Sequence, residues 1–350
     1  MPNYKKIMNN LSSNFLFILL IMTMFSIMIL SIFMTNFMHL WILMEMNTLM
    51  LISMMAIYTK NFKMTFNYFI IQSISSLMII FLMMYKNNLF LSTEWMNFLL
   101  IINFAMKMGL FPFFYWQPLI NKYLSWNMIF LMSTTQKFIP LMMIHYFINM
   151  ESMSINFMLF SLSILSSMFS SIMCFNESNM KKILTFSSLN HLSWMVFIIM
   201  FDTSMFILYF FFYSISMLFP CLLLNKFNIN SFTNLIKMQK LNFKKTNFFF
   251  SMSILITSAL PPFMTFLIKI NSMKIMIMNL SLFSSIMFII MSMFTLIFYM
   301  NIIIKLSMMI FIKTKFYNSN FLNFKNNWFS SIIMSIMTMT FLFSIFYFIN

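Results

Sequence analysis

The stretch Asn103-Phe-Ala-Met-Lys107-Met-Gly109-Leu-Phe-Pro112-Phe-Phe-Tyr-Trp116 places a lysine in the middle of an apolar run. Lys107 lies about nine or ten residues from either end of that run, or about 13 to 15 Å along a helix, so its ammonium group is too deep to reach the membrane surface easily. Gly109 is the only glycine in the chain and Pro112 follows it, so the helix is predicted to break beside its charge. A lysine at this depth costs about 2.5 to 3.5 kcal/mol to insert and usually marks an ion or proton pathway.

The composition is that of an integral membrane protein. Hydrophobic residues make up 62% of the chain and charged residues 7%, whereas a soluble domain needs about a quarter of its residues charged. Because no polar stretch exceeds about twenty residues, the chain is predicted to be a single membrane domain over 1–350. Its first part covers 13–149 and the remaining helices cover 154–348.

About eleven apolar segments of about 19 to 25 residues predict an all-α polytopic fold, because each is long enough to cross the hydrocarbon core. The segments are 13–34, 37–58, 66–84, 97–116, 127–149, 154–175, 183–201, 204–224, 247–270, 280–304 and 328–348.

The loop lysines predict the orientation of these segments. Nearly all of them fall on the side that holds the N-terminus, and Lys86 and Lys274 fall on the other. The positive-inside rule therefore puts the N-terminus on the positive side, and the formal charge of +16 is a topology signal rather than a sign of nucleic-acid binding. The abundance of Met (48) and Phe (51) beside one Gly and no Arg indicates an AT-rich animal mitochondrial genome. The positive side is then the matrix side of the mitochondrial inner membrane.

A short sequence motif that occurs twice suggests that the chain has two related halves. Gly109-Leu-Phe-Pro112-Phe recurs as Ala259-Leu-Pro261-Pro262-Phe, each time inside an apolar segment and near a lysine. Paired helix breaks of this kind point to inverted repeats with a site at the bilayer midplane.

Two further ionisable residues share the depth of Lys107. Glu45 lies about 12 Å into the second segment, too deep for a short acidic side chain to reach the head groups. Lys137 lies about ten residues into the fifth segment and precedes Pro140. We interpret Glu45 as the carboxylate partner of a buried lysine, and Lys107 and Lys137 as functional residues.

His191 and Lys269 are each open to two interpretations. His191 lies one turn after Ser187 and Ser188, whose hydroxyls could satisfy a neutral imidazole, so it is either a packing histidine or a proton relay. Lys269 lies near the end of the ninth segment, from which a lysine could snorkel to the surface.

These residue types suit stepwise proton transfer. Burial favours the neutral form of a lysine and a nearby carboxylate favours its charged form, so protonating or moving the carboxylate lets the lysine release a proton. Carrying one charge against 100 mV needs about 2.3 kcal/mol. The sequence shows no nucleotide-binding loop, metal cluster or cysteine ligand set, so the driving reaction is expected to lie outside this chain.

Several motifs, taken together and in order, carry a family resemblance. They are Lys107-Met-Gly-Leu-Phe-Pro-Phe-Phe-Tyr-Trp116, Gln136-Lys-Phe-Ile-Pro-Leu141, Asn176-Glu-Ser-Asn-Met-Lys-Lys-Ile-Leu-Thr-Phe-Ser-Ser-Leu-Asn-His-Leu-Ser-Trp194 and Leu260-Pro-Pro-Phe-Met-Thr-Phe-Leu-Ile-Lys269. They resemble the NADH dehydrogenase subunit 2 family of insect mitochondria, an antiporter-like membrane subunit of respiratory complex I. The resemblance covers most of the chain and is weakest before Trp41 and after Tyr299.

The resemblance implies two inverted helix bundles with broken helices, of which animal members keep eleven helices. It also implies roles for the five residues: Glu45 matches the acidic partner, Lys107 the paired pump lysine and Lys137 the central lysine. His191 matches a histidine on the hydrophilic axis, and Lys269 the lysine beyond the second break.

The resemblance further implies a proton-translocating subunit of NADH:ubiquinone oxidoreductase with no redox centre of its own. NADH, FMN, iron-sulfur clusters and ubiquinone would bind other subunits. The implied partners are other membrane-arm subunits and phospholipids such as cardiolipin, without nucleic acid.

The chain departs from the family pattern at three places. The family commonly has a histidine where Phe114 stands, so a relay role there is absent or filled by water. Glycines usual before the glutamate and before the proline pair are replaced by Met44 and by Ser258-Ala259, which is expected to stiffen the breaks.

Other functions compete with this interpretation. Cytochrome b needs histidine pairs for haem, and the three histidines here lie in three different segments. Another antiporter-like subunit of the same complex is usually longer. A stand-alone cation/proton antiporter and a structural scaffold, whose buried charges only fix helix register, are the remaining alternatives.

Overall fold

The computed structural model describes residues 2–59, 61–85, 93–149, 153–231, 234, 244–261, 263–279 and 282–314. Within these ranges the regular secondary structure is helical, apart from an isolated bridge between Asn179 and Ser231. The eleventh predicted segment, 328–348, and Pro262 lie outside the described residues. The all-α polytopic fold is confirmed.

The chain divides into two compact units, residues 1–161 and 162–350. The expectation of one membrane domain over 1–350 stays a prediction. The helices of the first unit are α1 (Pro2–Phe33), α2 (Phe37–Tyr58), α3 (Phe62–Tyr85), α4 (Thr93–Met108), α5 (Trp116–Asn121), α6 (Trp126–Ser133) and α7 (Thr135–Asn149). α8 (Met153–Phe175) begins in the first unit and ends in the second.

The remaining helices belong to the second unit. They are α9 (Met180–Ile199), α10 (Thr203–Lys226), α11 (Lys244–Thr257), α12 (Met264–Asn279) and α13 (Leu282–Thr314). In the first unit α3 packs against α2 and α4, and α7 packs against α1, α2, α4 and α6. In the second unit α10 packs against α9, α11 and α12, and α13 packs against α11 and α12.

The outer surface is far more apolar than that of a soluble protein, and several charged side chains are buried. Large apolar side chains such as Phe15 (67% exposed) and Phe33 (75% exposed) face outward, whereas Lys107, Lys137 and Lys269 are buried. Lipid solvates apolar surface, so the outward residues carry no penalty there, and the polar groups must find partners inside each helix bundle.

The helices long enough to span a membrane agree with the predicted segments. Among the described residues seven helices qualify, and they correspond to the predicted segments 13–34, 37–58, 66–84, 154–175, 183–201, 204–224 and 280–304. The fourth, fifth and ninth predicted segments are each divided into shorter helices by a break. The predicted breaks near Gly109 and Pro261 are confirmed.

Three expectations need correction. The fifth segment is not continuous, because α6 ends at Ser133 and α7 begins at Thr135. Lys274, expected in a loop, lies within α12, which continues to Asn279 because no breaker residue interrupts Met264–Asn279. α13 likewise runs to Thr314, beyond the expected end at 304.

Candidate functional site

An ion pair lies beside the break of α4. Nζ of Lys107 lies 2.8 Å from Oε1 of Glu45, and the two side chains are 2% and 24% exposed. α2 supplies the carboxylate and α4 the ammonium group. Removing one partner of a buried pair leaves an uncompensated charge and costs several kcal/mol, so neither side chain is replaceable by an apolar one without a penalty.

The end of α4 explains why the lysine is tolerated at this depth. Lys107 lies in the last turn of α4, where the helix dipole favours a positive charge. The helix stops at Met108 because Gly109 takes a positive φ of 72°, a conformation that suits glycine. The next regular helix starts only at Trp116.

The carbonyl groups exposed by this break are satisfied by two side chains and one backbone amide. Gln72 of α3 donates from Nε2 to the oxygen of Lys107 at 3.1 Å. Trp116 donates from Nε1 to the oxygen of Met106 at 3.1 Å, and the nitrogen of Leu110 donates to Ala105 at 2.9 Å. An unpaired carbonyl in this environment would cost several kcal/mol, so these contacts make the break sustainable.

Lys137 lies at a second, unpredicted break in the same unit. Thr134 separates α6 from α7 and its hydroxyl donates to the oxygen of Phe130 at 2.8 Å. Lys137 is the third residue of α7 and is 4% exposed. Pro140 has no backbone N–H, so the helix offers no donor to the oxygen of Gln136, one turn back.

In the second unit, His191 is held by two other helices. Its Nε2 lies 3.0 Å from the oxygen of Thr257 and its Nδ1 lies 2.9 Å from the hydroxyl of Tyr209. A carbonyl oxygen only accepts, so Nε2 carries the proton, and in the neutral ring Nδ1 accepts from Tyr209.

The two serines one turn before His191 donate within their own helix. Ser187 and Ser188 donate to the oxygens of Leu184 and Thr185, one turn back in α9. A serine in a helix readily donates to its own preceding turn, so these donations are ordinary helix contacts.

The break after α11 resembles the break after α4. α11 ends at Thr257, and Ala259 takes a positive φ of 57°. His191 donates to the oxygen of Thr257, and the hydroxyl of Thr265 donates to the oxygen of Ile256 at 3.2 Å. Each broken helix thus ends with carbonyl groups that side chains of neighbouring elements satisfy.

Lys269 lies in α12, beyond this break, and is 7% exposed. Its Nζ lies 5.4 Å from the ring centroid of Trp194, whose ring contacts Phe288 at 4.8 Å. A cation over a desolvated indole is stabilised by roughly 2 kcal/mol. The side chain therefore points to the interior of its unit and does not snorkel.

A model of a known protein family matches the part of the chain that contains these residues. Residues 34–298 match the family described as NADH:quinone oxidoreductase/Mrp antiporter, TM. The chain belongs to this family.

The chain is also similar to proteins named NADH-ubiquinone oxidoreductase chain 2. The chain is 30% identical over 281 residues to the NADH-ubiquinone oxidoreductase chain 2 of Apis mellifera ligustica, covering 79% of each protein. It is 30% identical over 207 residues to the chain 2 of Anopheles gambiae, covering 58% of this chain and 59% of that relative. The latter match therefore spans less than two thirds of the relative's length.

Two solved structures share the fold of this family member. A chain of respiratory complex I from Thermus thermophilus superposes with a TM-score of 0.67 and 13% identity, covering 89% of this chain and 73% of that one. A chain of the membrane-bound sulfane sulfur reductase, an archaeal respiratory membrane complex, gives a TM-score of 0.72 and 13% identity over 91% and 72%.

Sequence reasoning found the ionisable groups and missed the neutral residues that hold them. Gln72, Tyr209, Thr257 and Trp194 were not singled out. Gln72 carried a usable signal, since a glutamine in an apolar segment needs a partner. For the other three, the spacing gave no indication of which helix they would face.

Phe114, at which the resemblance implied a histidine, is buried and lies against Tyr115 with ring centroids 4.0 Å apart. An apolar ring at this point has no proton to exchange. A relay step at Phe114 would therefore need another group.

Proposed function

We propose that this chain is a proton-translocating membrane-arm subunit of an NADH:ubiquinone oxidoreductase, with Glu45, Lys107, Lys137, His191 and Lys269 as its relay residues. Membership of the NADH:quinone oxidoreductase/Mrp antiporter family supports the class of function. Relatives that carry the name NADH-ubiquinone oxidoreductase chain 2 support the particular complex.

The observation that carries the proposal is the contact of Lys107 with Glu45 at 2.8 Å, beside a helix break within an apolar bundle. Such a pair is costly for stability alone, because well-packed apolar residues would serve as well or better. Its retention at bilayer depth is typical of a proton pathway.

The pair has two charge states with different proton affinity. While Glu45 is ionised, it stabilises the charged ammonium group of Lys107 at 2.8 Å. When Glu45 takes up a proton at Oε1 or moves away, that stabilisation ends, and the desolvated Nζ of Lys107 gives up a proton to the next group. Lys137, buried one helix away in the same unit, is the proposed acceptor.

His191 and Lys269 have the corresponding roles proposed for the second unit. A neutral His191 with Nε2 protonated and Nδ1 accepting from Tyr209 can take a proton on one nitrogen and release one from the other. Lys269, held over Trp194, is the proposed terminal ammonium group.

The proposed setting is the mitochondrial inner membrane, with the N-terminus on the matrix side. The lysine-rich loops on that side support the orientation. Proposed partners are the other membrane-arm subunits and phospholipids such as cardiolipin, and not nucleic acid. NADH, FMN, iron-sulfur clusters and ubiquinone are proposed to bind other subunits, so the chain serves as a translocase subunit without a redox centre.

The test is the pair Glu45→Gln and Lys107→Met in the assembled complex, with Lys122→Met, an exposed lysine in a loop, as the matched control. We expect proton translocation and electron transfer to fall together by about tenfold or more in the first two variants and to be unchanged in the control. Wild-type rates with a normal proton-to-electron ratio in both variants would favour a structural scaffold. Cation transport by the isolated chain in proteoliposomes would favour a stand-alone antiporter.

A further inference from the structure

Two amide side chains tie α2 to the first turn of α7. Nδ2 of Asn47 donates to the oxygen of Thr135 at 2.9 Å, and Nε2 of Gln136 donates to the oxygen of Asn47 at 2.9 Å. Because both acceptors are backbone carbonyls, the orientation of each amide is fixed, with its nitrogen in the bond and its oxygen free to accept. The exchange is reciprocal, so it sets the register of one helix against the other.

A tyrosine of α3 adds a third point of attachment. The hydroxyl of Tyr68 donates to Oε1 of Gln136 at 3.3 Å, and Tyr68 is fully buried. Gln72 lies one turn further along the same face of α3 and donates to the oxygen of Lys107. One face of α3 therefore contacts both breaks that carry a lysine in this unit.

The positions of these contacts matter because of their sequence neighbours. Asn47 follows Glu45 by about half a turn of α2, and Gln136 directly precedes Lys137 in α7. Apolar packing gives little preference for one register over another in lipid, so interhelical hydrogen bonds of this kind fix it. The reciprocal amides thus fix the register of α7, which carries Lys137, against α2, which carries Glu45.

One atom of this group points to a further ligand. Oδ1 of Asn47 is buried and has no hydrogen-bond partner among the described residues, and Asn47 is 1% exposed. A buried carbonyl oxygen left unpaired is costly, and such atoms are usually satisfied by an ordered water.

We propose that Asn47, Tyr68 and Gln136, here called the amide brace, are positioning residues that hold the Glu45–Lys107 pair and Lys137 at the separation required for proton transfer. Oδ1 of Asn47 accepts a hydrogen bond from a water on that route. This inference rests on the proposed function, because it assigns the brace a role in the same transfer.

The experiment uses two substitutions that remove polar atoms and keep shape. Gln136→Met removes both hydrogen bonds of the glutamine at nearly constant volume, and Tyr68→Phe removes only the hydroxyl and keeps the ring that contacts Trp116. Tyr58→Phe is the matched control, because Tyr58 is 37% exposed at the end of α2. For each assembled complex we would measure the proton-to-electron ratio, the coupled turnover, and NADH oxidation by a soluble electron acceptor.

We expect coupled turnover to fall about two- to tenfold in Gln136→Met and Tyr68→Phe, with proton translocation falling in parallel and unchanged NADH oxidation by the soluble acceptor. Added to Lys107→Met, Gln136→Met should cause no further loss, because the brace acts through the pair that is already gone. If the complex with Gln136→Met does not assemble, the result for Tyr68→Phe alone tests the proposed role of the amide brace.

The outcomes separate the two proposals. A wild-type ratio and turnover in the brace variants, with Lys107→Met impaired, would overturn the brace and leave the proposed function standing. A full additional loss in the double variant would also overturn it, because positioning through Lys107 predicts none. Wild-type coupled turnover with a normal proton-to-electron ratio in Lys107→Met itself would instead count against the proposed function.

Discussion

Nε2 of Gln72 lies 3.1 Å from the main-chain oxygen of Lys107, so a neutral amide on α3 caps the helix that ends at the buried charge. The cap and the ion pair therefore involve the same residue. Glu45 neutralises the side chain of Lys107, and Gln72 satisfies its backbone. At this break both the side chain and the backbone carbonyl of Lys107 have a partner.

Replacing Gln72 by Met should destabilise the end of α4 without changing any charge. The carbonyl of Lys107 would lose its partner in a buried site, at a cost of about 1 to 3 kcal/mol. We expect a lower temperature of dissociation of the assembled complex and reduced coupled turnover. Ser73→Ala, on the exposed side of α3, is the control and should leave both values unchanged.

Replacing Gly109 by Ala should also destabilise the protein, for a steric reason. The φ of 72° costs a residue with a Cβ about 1 to 2 kcal/mol. The new Cβ would in addition lie 3.2 Å from Oε1 of Gln117 and 3.5 Å from the ring of Trp116. We expect less assembled complex and a lower dissociation temperature; an unchanged temperature would show that α4 can end without the positive φ.

Replacing Ala259 by Gly at the second break should stabilise the protein. Ala259 already has a positive φ of 57°, so Ala259→Gly relieves that strain. Glycine adds entropy to the unfolded chain, and the net stabilisation should be about 0.5 to 1 kcal/mol. A higher dissociation temperature for Ala259→Gly, measured beside the loss for Gly109→Ala, would confirm that both breaks depend on this conformation.

The helix caps outside the membrane give a pH-dependent prediction. Asp202 accepts from the nitrogen and hydroxyl of Ser204 at the start of α10, and the hydroxyl bond lowers the pKa of the carboxyl below its ordinary value. The cap contributes stability above that ordinary value and loses it as the pH falls through the lowered pKa. Asp202→Ala should therefore cost about 0.5 to 1 kcal/mol at pH 7, whereas Asp202→Asn should be nearly neutral. A stability difference between wild type and Asp202→Ala that did not shrink toward pH 3 would contradict this assignment.

The sequence predicted the helices and the charges better than the contacts between them. A segment of about 20 apolar residues predicts a membrane span because of its length alone. Gly109 and Pro112 predict a helix break because of their backbone preferences. The break at Thr134 has no glycine to indicate it, and there the hydroxyls of Thr134 and Thr135 donate to the oxygens of Phe130 and Leu131 in α6.

The contacts that were missed depend on which faces of distant helices meet. Ser187 and Ser188 had the right spacing to reach His191, yet Tyr209 and Thr257, from two other helices, occupy its ring nitrogens. Likewise, Lys269 lies at a position from which it could have reached the surface, and only the packing of α12 turns it toward Trp194. Helical spacing alone does not determine which side chains contact each other, because several helix faces have comparable polarity.

The two interpretations of His191, packing or relay, are separated by one substitution. In His191→Gln the side-chain amide nitrogen replaces Nε2, so it can still donate to the oxygen of Thr257, but it cannot carry a proton from one atom to another. We expect normal assembly and about a tenfold loss of coupled proton translocation. His191→Phe, which also removes the cap on α11, should lose assembly as well. If His191→Gln translocates protons at the wild-type rate, His191 is a capping residue, because the hydrogen bond that survives in that variant is then the only part of the imidazole that the protein uses.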